Sequence, residues 1–86
     1  QELVLKSDSE IIKRLYFEKE NEFVPKNSDN PYYIIVIEGR IRVISENKEY
    51  TYFPADALRI SKGQDFKIIS RSDAKVVLIE MTGKNE

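Results

Sequence analysis

The sequence of 86 residues contains no cysteine and no histidine, and it has only three glycines and three prolines. Without cysteine no disulfide can brace the chain, which excludes the scaffolds of small disulfide-rich secreted domains. Without histidine it lacks the commonest metal ligand and the usual general acid–base near neutral pH. Together these absences leave a zinc or copper site without its ordinary donors. Long apolar runs are missing too: the longest, Tyr32 to Ile37, falls far short of the roughly 20 residues that cross a bilayer. Neither sign of charge dominates, with 14 Lys and Arg against 15 Asp and Glu and a net charge of −1. Residues 1–38 carry five basic and eight acidic side chains, residues 39–86 nine and seven, an asymmetry too weak to signal nucleic acid. No signal-peptide pattern and no Asn-x-Ser/Thr acceptor occurs. The expectation is therefore a cytoplasmic or nuclear protein without a membrane or nucleic-acid partner.

What is present is a succession of short β-branched and aromatic runs with turn signals between them. Pro31-Tyr-Tyr-Ile-Ile-Val-Ile-Glu-Gly39 leads through its glycine into Arg40-Ile-Arg-Val-Ile-Ser45, followed by Tyr50-Thr-Tyr-Phe53, Leu58-Arg-Ile60, Phe66-Lys-Ile-Ile69 and Lys75-Val-Val-Leu-Ile79. Gly39 is placed where a hairpin needs a permissive backbone, Glu46-Asn-Lys48 reads as a second hairpin turn, and Lys62-Gly63 as a further turn. Pro54-Ala-Asp56 interrupts a ladder, because proline offers no N–H, and Asp56 is expected to close that turn by bonding to the backbone. The pattern predicts one all-β domain over residues 1–86, a small barrel or sandwich. The chain begins at Gln1 rather than methionine and is read as trimmed or cut from a longer protein.

The N-terminal third allows two readings. Ser7-Asp-Ser-Glu10 ahead of Ile11, Ile12, Leu15 and Tyr16 is compatible with a capped amphipathic helix. A strand over Ile12–Glu18 puts Leu15 and Phe17 on one face and Arg14, Tyr16 and Glu18 on the other. The strand is favoured, since the helix would turn Phe17 to solvent and everything downstream is β.

Tyr32–Ile37 and Val76–Met81 are apolar on both faces, and a strand apolar on both sides is normally covered on both. The barrel interior supplies one cover. The other must be an N-terminal segment such as Glu2-Leu-Val-Leu5 or a partner. A domain this small buries only roughly 60% of its unfolded surface, so a homodimer is expected, with Tyr33, Ile35, Ile37, Val77 and Ile79 in the interface.

Tyr33-Ile-Ile-Val-Ile-Glu-Gly39 resembles the end of the first sequence block of small cupins, "xxYVxxG". Ala55-Asp56 through Gly63 to Phe66 and Ser70 is similar to their second block, "GDxxxxPxGxxHxxxN". The resemblance covers about residues 12–81 and implies a cupin-like double-stranded β-helix, a small jelly-roll barrel. It departs from the family at the metal ligands. Counting from Gly39 and Ala55 places Lys26, Ser28, Tyr32 and Phe66 at the four ligand positions. Lysine repels a cation and phenylalanine has no lone pair, so neither a metal nor another cofactor is expected. A narrower likeness, carried by Lys62-Gly63-Gln-Asp-Phe66-Lys-Ile68 and Asp73-Ala-Lys75-Val-Val-Leu-Ile79, is to the metal-free cupin of the centromere protein C family, a homodimerisation module. That likeness would make the protein nuclear.

The resemblance implies a pocket lined by Lys26, Ser28, Tyr32, Ile34, Arg42 or Val43, Leu58 or Ile60, Phe66 and Ile68. Lys26, Ser28, Tyr32 and Phe66 are the candidate ligand-binding residues for a small molecule in the barrel. The bland alternative is that Tyr32 and Phe66 simply fill the core. Arg40, Arg42 and Arg59 are read as a solvent face paired with Glu38, Glu46 or Glu49, against the alternative of an anion patch. No catalytic residue is assigned. The leading expectation is a non-enzymatic homodimerisation or ligand-binding module. The alternative is a cofactor-independent isomerase or lyase acting on a sugar or small acid through Tyr32 and Lys26.

Overall fold

A computed structural model of the protein describes residues 10–18, 20–25 and 29–82, together with the backbone of residues 2–6. Among them nine strands run in chain order: β1 (Glu2–Lys6), β2 (Glu10–Phe17), β3 (Asn21–Phe23), β4 (Tyr32–Glu38), β5 (Ile41–Ser45), β6 (Lys48–Tyr52), β7 (Ala57–Ile60), β8 (Lys67–Ser70) and β9 (Ala74–Met81). They form two sheets, β1-β2-β9-β4-β7 and β3-β8-β5-β6, in which every pairing is antiparallel. This is the all-β architecture that the strand rhythm predicted and the jelly roll that the cupin resemblance implied.

Side-chain alternation decides what lies between the sheets. Leu15 and Phe17 of β2, Tyr32, Ile34 and Val36 of β4, and Ala74, Val76 and Leu78 of β9 all point inward and are buried. Ile41 and Val43 of β5, Ile60 of β7, Ile68 of β8 and Phe66 meet them from the other side. The N-terminal third is strand, with Leu15 and Phe17 inside and Tyr16 exposed. Of the paired options for the lining, Val43 faces the core while Arg42 does not, and Ile60 is buried with Leu58 packed beside it.

Gly39 requires a correction. It does not close a hairpin, because β4 and β5 belong to different sheets. It carries the chain from one sheet to the other with φ +76°, and a Cβ there would lie 2.9 Å from Ala74 Cα and still closer to the Asp73 carbonyl oxygen. Glycine is needed twice over, for its torsion and for the close approach of backbone. The hairpin at Glu46-Asn47 is as predicted: both residues have positive φ, 52° and 65°, and Ser45 faces Lys48 across it. Such a turn matches the twist of the flanking strands. At Pro54-Ala55 the Asp56 N–H donates to the Phe53 carbonyl at 2.9 Å, and the Asp56 Oδ2 accepts from the Phe53 N–H at 2.8 Å. Asp56 therefore closes the turn through backbone bonds, as expected.

The N-terminal segment does not cover the outside of the larger sheet. β1 pairs edge to edge with β2, Leu3 against Lys13 and Leu5 against Ile12, and lengthens the sheet. Of the two covers that the sequence allowed for the outer faces of β4 and β9, one is thereby removed.

Candidate functional site

Among the described residues, those predicted for ligand binding and for the dimer interface fall in two regions: the mouth of the barrel and the outer face of the five-stranded sheet. At the mouth, Tyr32 starts β4 and Phe66 immediately precedes β8. Their rings meet edge to face, with centroids 5.2 Å apart and planes at 65°, and each residue is only 4% exposed. The edge-to-face arrangement brings the positive rim of one ring to the negative face of the other, worth about 0.5–1.5 kcal/mol beyond the area buried. The two positions that counting from Gly39 and Ala55 selected thus come together. Lys26 and Ser28 lie outside the described residues.

The register also sets Tyr32 opposite Glu80 of β9. The Glu80 Oε2 accepts from the Asn30 Nδ2 at 2.8 Å, and the Met81 N–H donates to the Pro31 carbonyl at 3.0 Å, which ties the start of β4 to the end of β9. Burial first, and the Glu80 carboxylate second, push the Tyr32 phenol up to about 12. A neutral phenol, a phenyl ring and one amide-bonded carboxylate do not fit a divalent cation. Among the described residues no three carboxylates come together elsewhere to replace them. Glu80 and Asn30 were missed in the sequence, although Val76, Leu78 and Glu80 share one face of β9 and the alternation could have shown it.

The outer face of the larger sheet is apolar through its middle. One cross-strand row reads Ile12, Ile79, Tyr33, Arg59, and the next reads Arg14, Val77, Ile35, Ala57. Ile35, Val77 and Ile79 are half-buried by their neighbours, Tyr33 is 40% exposed and Ile37 53% exposed. Ile37 stands out because the β4–β9 register slips between Val36 and Glu38, and a bulge leaves its extra residue unpaired. The five predicted interface residues therefore share one face, joined by Ile12, which stands opposite Ile79.

Charges rim this face. The Arg59 guanidinium lies over the Tyr33 ring at 5.8 Å, the Lys75 ammonium over the Tyr16 ring at 5.9 Å, and Lys75 reaches Glu38 at 3.9 Å. Contacts of this kind at exposed sites contribute about 0.5–1 kcal/mol each. At one end, Arg14, Tyr16, Ile37, Lys75, Val76 and Val77 line a groove of about 330 Å3.

The arginines differ from the sequence reading. Arg59 belongs to β7, in the other sheet from Arg40 and Arg42, so these three form no common patch. Arg42 does pair with Glu49 across the β5–β6 hairpin, Nη1 to Oε2, at 3.0 Å.

The family described as the quercetinase C-terminal cupin domain matches residues 2–81. A comparison with curated proteins finds no match. Among solved structures, a cupin superfamily protein from Desulfitobacterium hafniense superposes with a TM-score of 0.85 at 14% identity, covering 92% of this chain and 72% of the other. KdgF from Halomonas sp. gives 0.85 at 13% identity, covering 98% and 78%. An RmlC-like cupin protein from Desulfovibrio desulfuricans gives 0.83 at 20% identity, covering 95% and 80%. At such identities the likeness is one of fold.

Proposed function

Since the chain belongs to the quercetinase C-terminal cupin domain family, we propose that it is a metal-free, non-enzymatic cupin that assembles as a homodimer through the outer face of the β1-β2-β9-β4-β7 sheet. The observation that carries this reading is the apolar centre of that face, which no described segment covers. Ile12, Ile35, Val77, Ile79 and the exposed Tyr33 and Ile37 lie together, and β1 extends the sheet at its edge instead of lying across it. A second copy supplies a cover of matching shape and chemistry. A two-fold contact brings the same patch to itself, and the rim carries both Lys75 and Glu38, which can each meet their opposite in the partner. An aromatic and aliphatic centre within a charged rim is the usual anatomy of such an interface.

The absence of catalysis is supported from the barrel mouth. Tyr32 is packed against Phe66, and its proton is held to about pH 12, so near neutrality it is a poor base and a poor acid. Among the described residues nothing at the mouth offers the donor set of a metal enzyme. The sedimentation behaviour of Ile35→Lys tests the proposal. Burying a lysine against its symmetry mate disfavours association, so the variant should sediment as monomer while keeping its β spectrum. A folded variant that still sediments as dimer contradicts the proposed face.

A further inference from the structure

The four-stranded sheet carries a second concave site, on its solvent side. Arg40, Arg42 and Arg71 line one cavity of about 150 Å3, with Thr51 at its side and Ile41 and Ile69 completing the wall. The register explains the convergence. Arg42 of β5 stands between Thr51 of β6 and Ile69 of β8, Arg40 is two residues before Arg42, and Arg71 is two residues after Ile69. Residues two apart share a face of a strand. Arg71 was not among the arginines singled out in the sequence, because nothing in the linear order sets it beside Arg40.

Three guanidinium groups around one small cavity repel each other, and among the described residues one of them has a carboxylate partner. Arg42 is paired with Glu49. Among the described residues neither Arg40 nor Arg71 has a carboxylate within ion-pair distance. Glu20 and Glu22 do line a neighbouring cavity with Arg71, but the Glu22 carboxylate reaches towards Lys67, 4.0 Å away. The arginine-bearing segments are nevertheless held together. Ser70, 1% exposed, is the buried polar residue among the described core, and its hydroxyl lies 3.4 Å from the Arg40 carbonyl and also against the Ser72 carbonyl. It accepts from the Ser72 N–H at 3.4 Å. The buried hydroxyl, with one proton to give, bonds within the turn that bears Arg71 and lies beside the Arg40 carbonyl. Gly39, next to Arg40, passes close against the backbone of Asp73 and Ala74.

We propose that Arg40, Arg42, Arg71 and Thr51 form an oxyanion site that takes the phosphate group of a small phosphorylated molecule. Arginine presents planar pairs of N–H donors that match phosphate oxygens, and Thr51 adds a hydroxyl donor. The cavity is below the roughly 300–1,000 Å3 of pockets that enclose a whole ligand. It therefore holds the phosphate and leaves the remainder of the molecule in solvent. The site lies on the opposite sheet from the proposed dimer face, so it stays open in either assembly state.

The test is a titration of the isotopically labelled chain with inorganic phosphate and with phenyl phosphate at low ionic strength, followed by amide NMR. The expected result is saturable shifts centred on Arg40, Arg42, Thr51 and Arg71, with glutarate binding more weakly than either. Arg40→Gln and Arg71→Gln should each weaken phosphate binding about ten-fold or more, as expected for a lost charge-assisted hydrogen bond. Arg59→Gln, on the other sheet, should leave it unchanged. Phosphate should raise the melting temperature of the wild-type chain and not that of the double Gln variant. Equal affinity for free phosphate and phenyl phosphate assigns recognition to the phosphate group alone. Unsaturable shifts spread over all basic residues, tighter binding of glutarate, or phosphate binding that survives both Gln substitutions overturns the proposal.

Discussion

Tyr32 and Phe66 close the inside of the barrel against each other, edge to face at 5.2 Å. Their contact joins the start of β4 to the residue ahead of β8, and so one sheet to the other. Replacing Phe66 by alanine removes the ring and leaves a hole between the sheets. A loss of about 3–5 kcal/mol is expected for such a change, a large part of the 5–15 kcal/mol or so by which domains are folded. Urea unfolding should show it, with Phe66→Leu losing much less. An alanine variant as stable as wild type would mean that the ring is not part of the core.

Alkali should unfold the protein partly through Tyr32. Its phenol titrates at about 12 in the folded chain, against about 10 when unfolded. Below pH 10 both states hold the proton and the contribution is intact. Between the two values the unfolded state sheds a proton that the folded state keeps, so stability falls as pH rises through this window and is fully lost above it. The fall attributable to Tyr32 is on the order of 1–3 kcal/mol. Denaturation of wild type and Tyr32→Phe at pH 9 and pH 11.5 should give the variant the shallower decline. Parallel declines would place the proton elsewhere.

Two backbone positions should respond in opposite directions. Ala55 follows Pro54 with φ 77°, a torsion that costs an L-residue about 1–2 kcal/mol. Ala55→Gly relieves it, less glycine's greater entropy when unfolded, and should stabilise by about 0.5–1 kcal/mol. At Gly39 the added Cβ of Gly39→Ala meets backbone atoms of Asp73 and Ala74 that cannot swing aside. A destabilisation of about 3 kcal/mol or more is expected. Thermal melts of the two variants should move apart, up for Ala55→Gly and down for Gly39→Ala.

Much of the fold was legible because its signals are local. The Leu15/Phe17 alternation, the Glu46-Asn47 turn and the Pro54–Asp56 turn each depend on residues a few positions apart, and each is found as read. The positions of Tyr32 and Phe66 were reached by counting along a family pattern, and they converge. What escaped depends on which strands become neighbours. Gly39 looked like a hairpin because the sequence cannot say that β4 and β5 leave for different sheets. Arg59 was grouped with Arg40 and Arg42 for the same reason, while Arg71 was passed over. Glu80 and Asn30 meet at the barrel mouth across 50 residues of chain, a pairing with no local signature.

In the proposed homodimer a second copy of the chain covers the apolar outer face of the larger sheet. Sedimentation equilibrium of the unsubstituted protein over a wide concentration range measures this most directly. The expected mass is twice that of the 10.1 kDa chain and falls towards the single-chain value only on dilution. A mass of 10.1 kDa at every concentration would contradict it.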